Sequence, residues 1–212
     1  MKIIFLGAPG AGKGTQAAAV SRELGIPTIS TGNMIREAIA SGTPVGLAAK
    51  DIIASGKLLN DDIVVGIVKE KLKSVSGGYI LDGFPRTVAQ AEALEAMGEE
   101  IDAVLNIYVP DDVIVERSAG RRYCPKCGAT YHVTYNPPIG EGEDAVCAEC
   151  KTPVAIRDDD KREVVRQRLE VYHEQTQPLE VFYAKRGKLR TVIGQEDVAD
   201  TTRLTLEALK GN

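Results

Sequence analysis

No tryptophan occurs among the 212 residues, and no run of eighteen apolar residues occurs either. The second absence excludes a transmembrane helix. An excess of basic charge is also missing: 26 Lys and Arg stand against 30 Asp and Glu, a formal net charge of −4. That balance argues against a general nucleic-acid binder. The N-terminus lacks a charged leader followed by a cleavable apolar segment, so Met1–Leu6 reads as structure and not as an address. Internal repeats and low-complexity tracts are absent. The expectation is a cytoplasmic protein with no membrane or nucleic-acid partner. Its length suits one sizeable core plus an insertion or two.

Cysteine is missing everywhere except between residues 124 and 150. There it forms two pairs, Cys124-Pro-Lys-Cys127 and Cys147-Ala-Glu-Cys150, separated by 19 residues. Two such knuckles suit a tetrahedral zinc ion held by four thiolates. Disulfides are the plain alternative, which a reducing cytoplasm disfavours. A thioredoxin-like redox pair fits less well, because two pairs occur and neither follows a strand of a βαβ unit.

What the chain does have is a glycine-rich turn, Gly7-Ala8-Pro9-Gly10-Ala11-Gly12-Lys13-Gly14-Thr15. An apolar run, Lys2–Leu6, feeds it, and an Ala-rich helical stretch, Thr15–Leu24, leaves it. Glycines let successive N–H groups turn inward toward an anion. The helix adds its positive end, and Lys13 adds a mobile charge for the outer phosphates. The spacing is G-x-x-x-x-G-K, with Gly14 where Ser or Thr usually follows and Thr15 one place later. A purely structural turn is the alternative; strand, lysine and helix together argue against it.

Short apolar runs alternate with helical patterns along the chain. Strands are expected at Lys2–Leu6, Pro27–Ser30, Gly78–Asp82, Ala103–Val109 and Leu189–Ile193. Helices are expected at Thr15–Leu24, Met34–Ala40, Gly46–Ser55, Ile63–Ser74, Val88–Met97, Asp112–Gly120, Arg162–Lys185 and Thr202–Leu209. Strands that are apolar throughout, alternating with helices, imply an α/β fold: a parallel sheet covered on both faces. Ligands then sit beyond the C-terminal ends of the strands, where the glycine-rich turn, Asp82 and Ser30-Thr31-Gly32 all fall. Residues 31–59 and 121–158 break the alternation and read as insertions over that edge. The second is too small for an apolar core of its own, so zinc would staple it.

Seven segments together resemble the adenylate kinases of the long, lid-bearing bacterial type, over essentially the whole chain. They are GAPGAGKGTQ (7–16), STGNMIRE (30–37), GKLLNDDIV (56–64), GYILDGFPRT (78–87), GRRYCPKCG (120–128), RDDD (157–160) and VRQRLEVY (165–172). LDGFPRT following a phosphate loop is the specific part. The resemblance implies a five-stranded P-loop core from residues 1–30, 60–120 and 159–212. It also implies a monophosphate-binding domain at 31–59 and a zinc-bearing lid at 121–158. The implied reaction is reversible transfer of the ATP γ-phosphoryl to AMP, giving two ADP, with magnesium, by a monomer. Asn33 stands where the family usually has Asp, Asn60 where it often has Pro, and the loop between the cysteine pairs is slightly long.

The resemblance also distributes roles. Gly10, Ala11, Gly12, Lys13, Gly14 and Thr15 would hold ATP phosphates. Arg117 would lie near the ATP base, with Thr130, Tyr131 and Gln195 contacting the donor, partly through backbone. Arg36 and Arg86 would hold the AMP phosphate, while Arg121, Arg157 and Arg168 converge on the transferring group, Arg157 and Arg168 also reaching AMP. Thr31, Lys57, Leu58, Leu59, Gly83, Phe84, Pro85 and Gln90 would complete the AMP site. Arginine suits this work because its planar fork matches phosphate oxygens. Surface ion pairs are the alternative for any one of them.

Several residues carry a second reading. Asp82 ends an apolar strand beside the phosphate loop and is a magnesium candidate through water, or a turn former with Gly83. Gln90 fits a capping box with Thr87, or an amide that reads an adenine edge. Thr31 suits an adenine pocket or an N-cap. Phe84-Pro85 restricts the backbone before Arg86. His132, His173, Arg122, Arg166 and Arg190 read as structural or solvated.

Phosphoryl transfer asks for positioning and charge neutralisation. An acceptor that is already an anionic phosphate monoester needs no general base, and the sequence offers no obvious one. That fits a nucleotide monophosphate better than an alcohol or a sugar. A GTP-dependent or pyrimidine-monophosphate kinase is the nearest alternative; lid length and Thr31 argue against the pyrimidine type. A P-loop GTPase switch would need an Asn-Lys pair, and none occurs. A zinc-ribbon nucleic-acid module should be basic. Residues 121–157 hold five Lys or Arg (121, 122, 126, 151, 157) against four acids (141, 143, 144, 149).

Overall fold

The computed structural model describes residues 1–211. Five strands form one parallel sheet: β1 (Lys2–Leu6), β2 (Thr28–Ser30), β3 (Tyr79–Asp82), β4 (Ala103–Tyr108) and β7 (Leu189–Ile193), in the order β2-β3-β1-β4-β7. Alternate residues of each strand bury on opposite faces. Ile3 and Phe5 join Ile80, Leu105, Ile107 and Val192 in one core. Ile4 and Leu6 join Ile29, Leu81 and Val104 in the other. Both faces are therefore covered, as expected for strands with no polar alternation. This is the five-stranded α/β fold expected from the sequence.

The register brings the strand ends together. Phe5 pairs with Asp82, Leu6 with Asn106, and Ser30 with Asp82. Helices α1 (Lys13–Leu24), α2 (Thr31–Ala40) and α5 (Val88–Ala96) begin at or just beyond this edge. Helices α3 (Pro44–Ala54) and α4 (Asp61–Lys73) complete the 31–73 stretch; Thr43 caps α3 and Asn60 caps α4 with side-chain oxygens. Helix α6 (Asp111–Gly120) leads into a two-stranded antiparallel ribbon, β5 (Arg121–Tyr123) and β6 (Thr130–His132). The chain returns through α7 (Arg162–Val171), α8 (Pro178–Ala184), β7 and α9 (Val198–Lys210).

Four expectations are corrected. Helix α1 begins at Lys13, so the lysine belongs to its first turn. Helix α2 begins at Thr31 and not Met34. Helix α9 begins at Val198 because the Asp197 carboxylate accepts from the Ala199 N–H at 2.7 Å. The single long helix expected over Arg162–Lys185 is broken by a π turn, Tyr172–Thr176, after which Pro178 starts α8. Proline suits that first-turn position because its missing N–H is not needed there.

Candidate active site

The phosphate loop lies between β1 and α1. Gly10 (φ 92°) and Gly12 (φ 94°) both hold left-handed backbone that a side chain would strain. No side chain caps α1, which leaves its first N–H groups free of a side-chain partner. Burial pushes the Lys13 ammonium down to about 7; Asp82 opposes the shift, and Arg86, Arg168 and Arg121 reinforce it.

Five arginines surround that lysine's cleft. Burial and neighbouring cations lower the guanidiniums of Arg86 to about 10, Arg121 to about 9 and Arg157 to about 10. Arg36 is lowered as well, by burial first and by Arg168 among its neighbours. A group of cations that depress one another in a half-closed space is a site built for a polyanion. Two buried acids supply part of the counter-charge. Asp160 accepts from Arg121, Nε at 2.8 Å and Nη2 closer still. Asp159 accepts from Arg168 Nη1 through its carboxylate (2.5 Å) and its carbonyl (3.1 Å). Burial acts to raise Asp159, but Arg168, Arg121, Arg157 and Arg36 outweigh it and hold the carboxyl below its usual range. Neither acid was singled out in the sequence, where RDDD carried only Arg157 as a site residue.

Two compartments meet among these groups. One, about 600 Å³, is lined by Thr31, Ile35, Arg36, Lys57, Leu58, Leu59, Val64, Gly83 and Gln90, with Arg86, Asp159 and Arg168 at its polar end. The other, about 520 Å³, lies over Phe5–Gly7 and Lys13 and shares Gly83, Arg86 and Arg168 with the first. The apolar part of the first compartment and its ring of cations suit a flat base joined to a phosphate.

The loop after β3 is tied down from several sides. Thr31 Oγ1 donates to the Gly83 carbonyl at 2.8 Å, so Thr31 is not the N-cap of α2; Ser30 is. Thr87 caps α5, accepting from the Gln90 N–H at 3.1 Å. Gln90 reaches back one residue further than a capping box requires: its Oε1 accepts from the Arg86 N–H at 2.7 Å. Its Nε2 donates to Asp61 at 2.7 Å, and Thr87 donates to the same carboxylate at 2.9 Å. Asp61 is a third acid, after Asp159 and Asp160, that the sequence does not single out. The Phe84 side chain is fully buried in the core. Phe84 and Pro85 lie outside the first compartment's wall, Pro85 bordering the second.

Among the residues expected near the donor, Arg117 and Gln195 do meet: Arg117 Nη2 donates to the Gln195 carbonyl at 3.2 Å. Tyr135, not anticipated, stacks its ring 5.1 Å from the Arg117 guanidinium. Arg157 similarly lies 5.1 Å from the Tyr123 ring. Tyr131 faces the other way. Its side chain is buried beside the cysteine knuckles, where the hydroxyl sits 3.1 Å from Cys147 Sγ and accepts from the Ala148 N–H. Only its backbone is left to meet a nucleotide. Thr130 occupies the adjoining strand position, paired with Tyr123. His132 bonds the Arg117 carbonyl at 3.0 Å, and Arg190 bonds the Ala208 and Leu209 carbonyls, both structural as expected.

The four cysteine sulfurs lie within 4.8 Å of one another. Cys124–Cys150 is 3.4 Å, Cys127–Cys147 is 3.5 Å and Cys127–Cys150 is 3.7 Å. Tetrahedral thiolates at about 2.3 Å from zinc stand about 3.8 Å apart, so the donor set fits. None of the four is in a disulfide. Apart from Tyr131, the buried core around them is Cys124 and Cys147 themselves. For magnesium the fit is of another kind: Asp82 offers a hard oxygen donor beside the phosphate loop, 3.6 Å from where a Gly14 Cβ would stand, with Ser30 Oγ donating to it at 3.3 Å.

A parallel sheet, a glycine-rich loop with its lysine, and an arginine-lined cleft define a P-loop phosphotransferase of the nucleotide-kinase class. The sequence model of the family Adenylate kinase matches residues 5–188. Similar proteins named "Adenylate kinase" are known from Caldicellulosiruptor saccharolyticus (52% identical, 99% of both chains), Acetivibrio thermocellus (49%, 100% of this chain and 99% of the relative) and Archaeoglobus fulgidus (52%, 93% of both). The chain belongs to the adenylate kinase family.

Proposed function

We propose that this enzyme transfers the terminal phosphoryl group of ATP reversibly to AMP, giving two ADP, and that the two compartments divide the nucleotides between them. The cation cluster carries the reading. Lys13, Arg36, Arg86, Arg121, Arg157 and Arg168 crowd one space, and four of the arginines lie below their usual range, chiefly through burial. Two nucleotides whose phosphates abut relieve that repulsion; one monoester would not use all six.

In this reading AMP lies in the first compartment, its base between Thr31, Leu58, Leu59 and Gln90 and the Lys57–Leu59 backbone, its phosphate on Arg36 and Arg86. The phosphate loop from Gly10 to Thr15 cradles the ATP phosphates. Arg117, Thr130, the Tyr131 backbone and Gln195 border the donor base. Lys13, Arg121, Arg157 and Arg168 hold the group in transit, which stabilises charge spread over its equatorial oxygens. The AMP phosphate is itself the nucleophile, so no side chain need remove a proton. Magnesium, bound with ATP, supplies further charge neutralisation, and Asp82 would hold it through water. Zinc on Cys124, Cys127, Cys147 and Cys150 fills all four positions and is structural.

Residues 31–59 and 121–158 act as the two closing domains on a core of 1–30, 60–120 and 159–212. Both sets of site residues come from one chain, which supports a monomer. A net charge of −4 and the absence, among the described residues, of any helix long and apolar enough to cross a membrane support a cytoplasmic enzyme that binds neither nucleic acid nor membrane. The test is a split in kinetic constants. Arg36→Ala should raise KM for AMP at least about tenfold with little change in KM for ATP. Equal effects on both substrates would overturn the division.

A further inference from the structure

A π turn is uncommon, and such turns gather at functional sites. Here the Gln177 N–H donates to the Tyr172 carbonyl at 2.8 Å, spanning five residues and not four. Each extra residue in a helix rotates everything after it by about 100°. Upstream, Val165, Leu169 and Tyr172 pack in one core and Arg168 lines the cleft. Downstream, Leu179 and Tyr183 pack in the core on the opposite face of the sheet.

The residue this insertion turns inward is Thr176, 8% exposed and part of the second compartment's wall. Helical threonines commonly bond back to the carbonyl four residues earlier. Thr201, Thr202 and Thr205 in α9 all do so, to Asp197, Val198 and Thr201. Thr176 does not. The Tyr172 carbonyl four residues back accepts from the Gln177 N–H. Its hydroxyl instead donates across 90 residues of sequence to the Arg86 carbonyl at 2.7 Å. The Arg86 N–H is held by Gln90, and the Arg86 Nε donates to the Gly83 carbonyl at 2.9 Å. Arg86 is thus fixed at both backbone groups and at its guanidinium, where the two compartments join.

We propose that Thr176 is a positioning residue for phosphoryl transfer: the π turn exists to set its hydroxyl on the Arg86 carbonyl. That bond ties the Arg86 loop to the helical segment that carries Arg168, the other arginine shared by the two compartments. A misplacement of about 1 Å at such a group can cost a hundredfold in rate. The proposal rests on the reading that Arg86 meets the AMP phosphate, and the test separates the two.

Thr176→Val keeps the side chain's shape and removes the hydroxyl; Thr176→Ser keeps the hydroxyl. The valine variant should lose about tenfold in kcat/KM for AMP, with KM for ATP within about twofold of the parent. The serine variant should recover to within about twofold. On an Arg86→Ala background, Thr176→Val should have almost no further effect, because the group it positions is gone. A parent-like Thr176→Val beside a crippled Arg86→Ala would overturn the positioning role alone. So would a valine effect that persists undiminished on the Arg86→Ala background. An unimpaired Arg86→Ala enzyme would remove the reading of Arg86 and the positioning role together.

Discussion

Lys13 turns its ammonium back on the loop that carries it: Nζ donates to the Gly7 carbonyl at 2.7 Å, and to Ala8 at 2.8 Å. These carbonyls occupy the charge until a phosphate replaces them. Replacing Lys13 by Met keeps the volume and removes the charge. Turnover should fall at least about a hundredfold, on the order of 3 kcal/mol in the barrier, with the circular dichroism spectrum of the folded protein retained. Full activity in Lys13→Met would mean the loop is misread.

The same lysine gives a pH dependence. Its pKa is about 7 in the structure against 10.5 for the ordinary group. Between those values the unfolded chain binds more protons than the folded one, so this lysine makes stability rise with pH from about 7 to about 10.5. A bound polyanion reverses its position by favouring the charged form. ATP binding at pH 8 should therefore take up protons, and ATP affinity should weaken as pH rises through that range. Calorimetry in buffers of different ionisation enthalpy reads the uptake directly. Zero or negative uptake at pH 8 would contradict the assignment.

The lid's dependence on its metal follows from its core. Zinc removal, or Cys147→Ser, should lower the melting temperature by roughly 5–10 °C and still leave measurable activity at low temperature, because the arginines come from outside the knuckles. Gently purified protein with no tightly bound ion would defeat this. So would a well-folded Cys147→Ser variant with full AMP affinity and no turnover.

Gly128, in the first cysteine knuckle, lies against Asn33 of α2: a Cβ there would come 2.5 Å from Asn33 Nδ2. Asn33 Oδ1 in turn accepts from Arg36 at 2.6 Å. The 31–59 and 121–158 segments therefore touch through Asn33 and Gly128, as the proposed closure to exclude water requires. Two adenosines linked through five phosphates should hold that contact. Hydrogen exchange across 31–59 and 121–158 should slow when this compound binds, with Gly32, Gly56 and Gly120 as hinges. Unchanged protection in both segments would count against closure.

Local signals made much of this legible. Lys2–Leu6 and Tyr79–Asp82 are apolar runs that end in the phosphate loop and in Asp82, and the structure keeps both as parallel neighbours. The four cysteines fell together because ligand spacing is itself local. What the sequence hid depends on partners far along the chain. Asp160 meets Arg121 across 39 residues, Gln90 meets Asp61 across 29, and Thr176 meets Arg86 across 90. No periodicity marks such pairs. The π turn hid for a related reason. Residues 162–184 carry a helical pattern, and only Pro178 hints that it restarts. The burial of the Tyr131 ring against Cys147 depends likewise on a partner sixteen residues away.

The most direct test of the whole account is a panel of initial rates with ATP and magnesium against AMP, UMP, CMP and GMP. The cleft formed by Thr31, Leu58, Leu59, Gln90 and the six cations predicts that AMP gives two equivalents of ADP per turnover. It also predicts that kcat/KM for AMP exceeds that for each of the other three by at least about a hundredfold, roughly 3 kcal/mol of discrimination. Comparable efficiency with UMP, or ATP consumption without ADP formed from AMP, would contradict it.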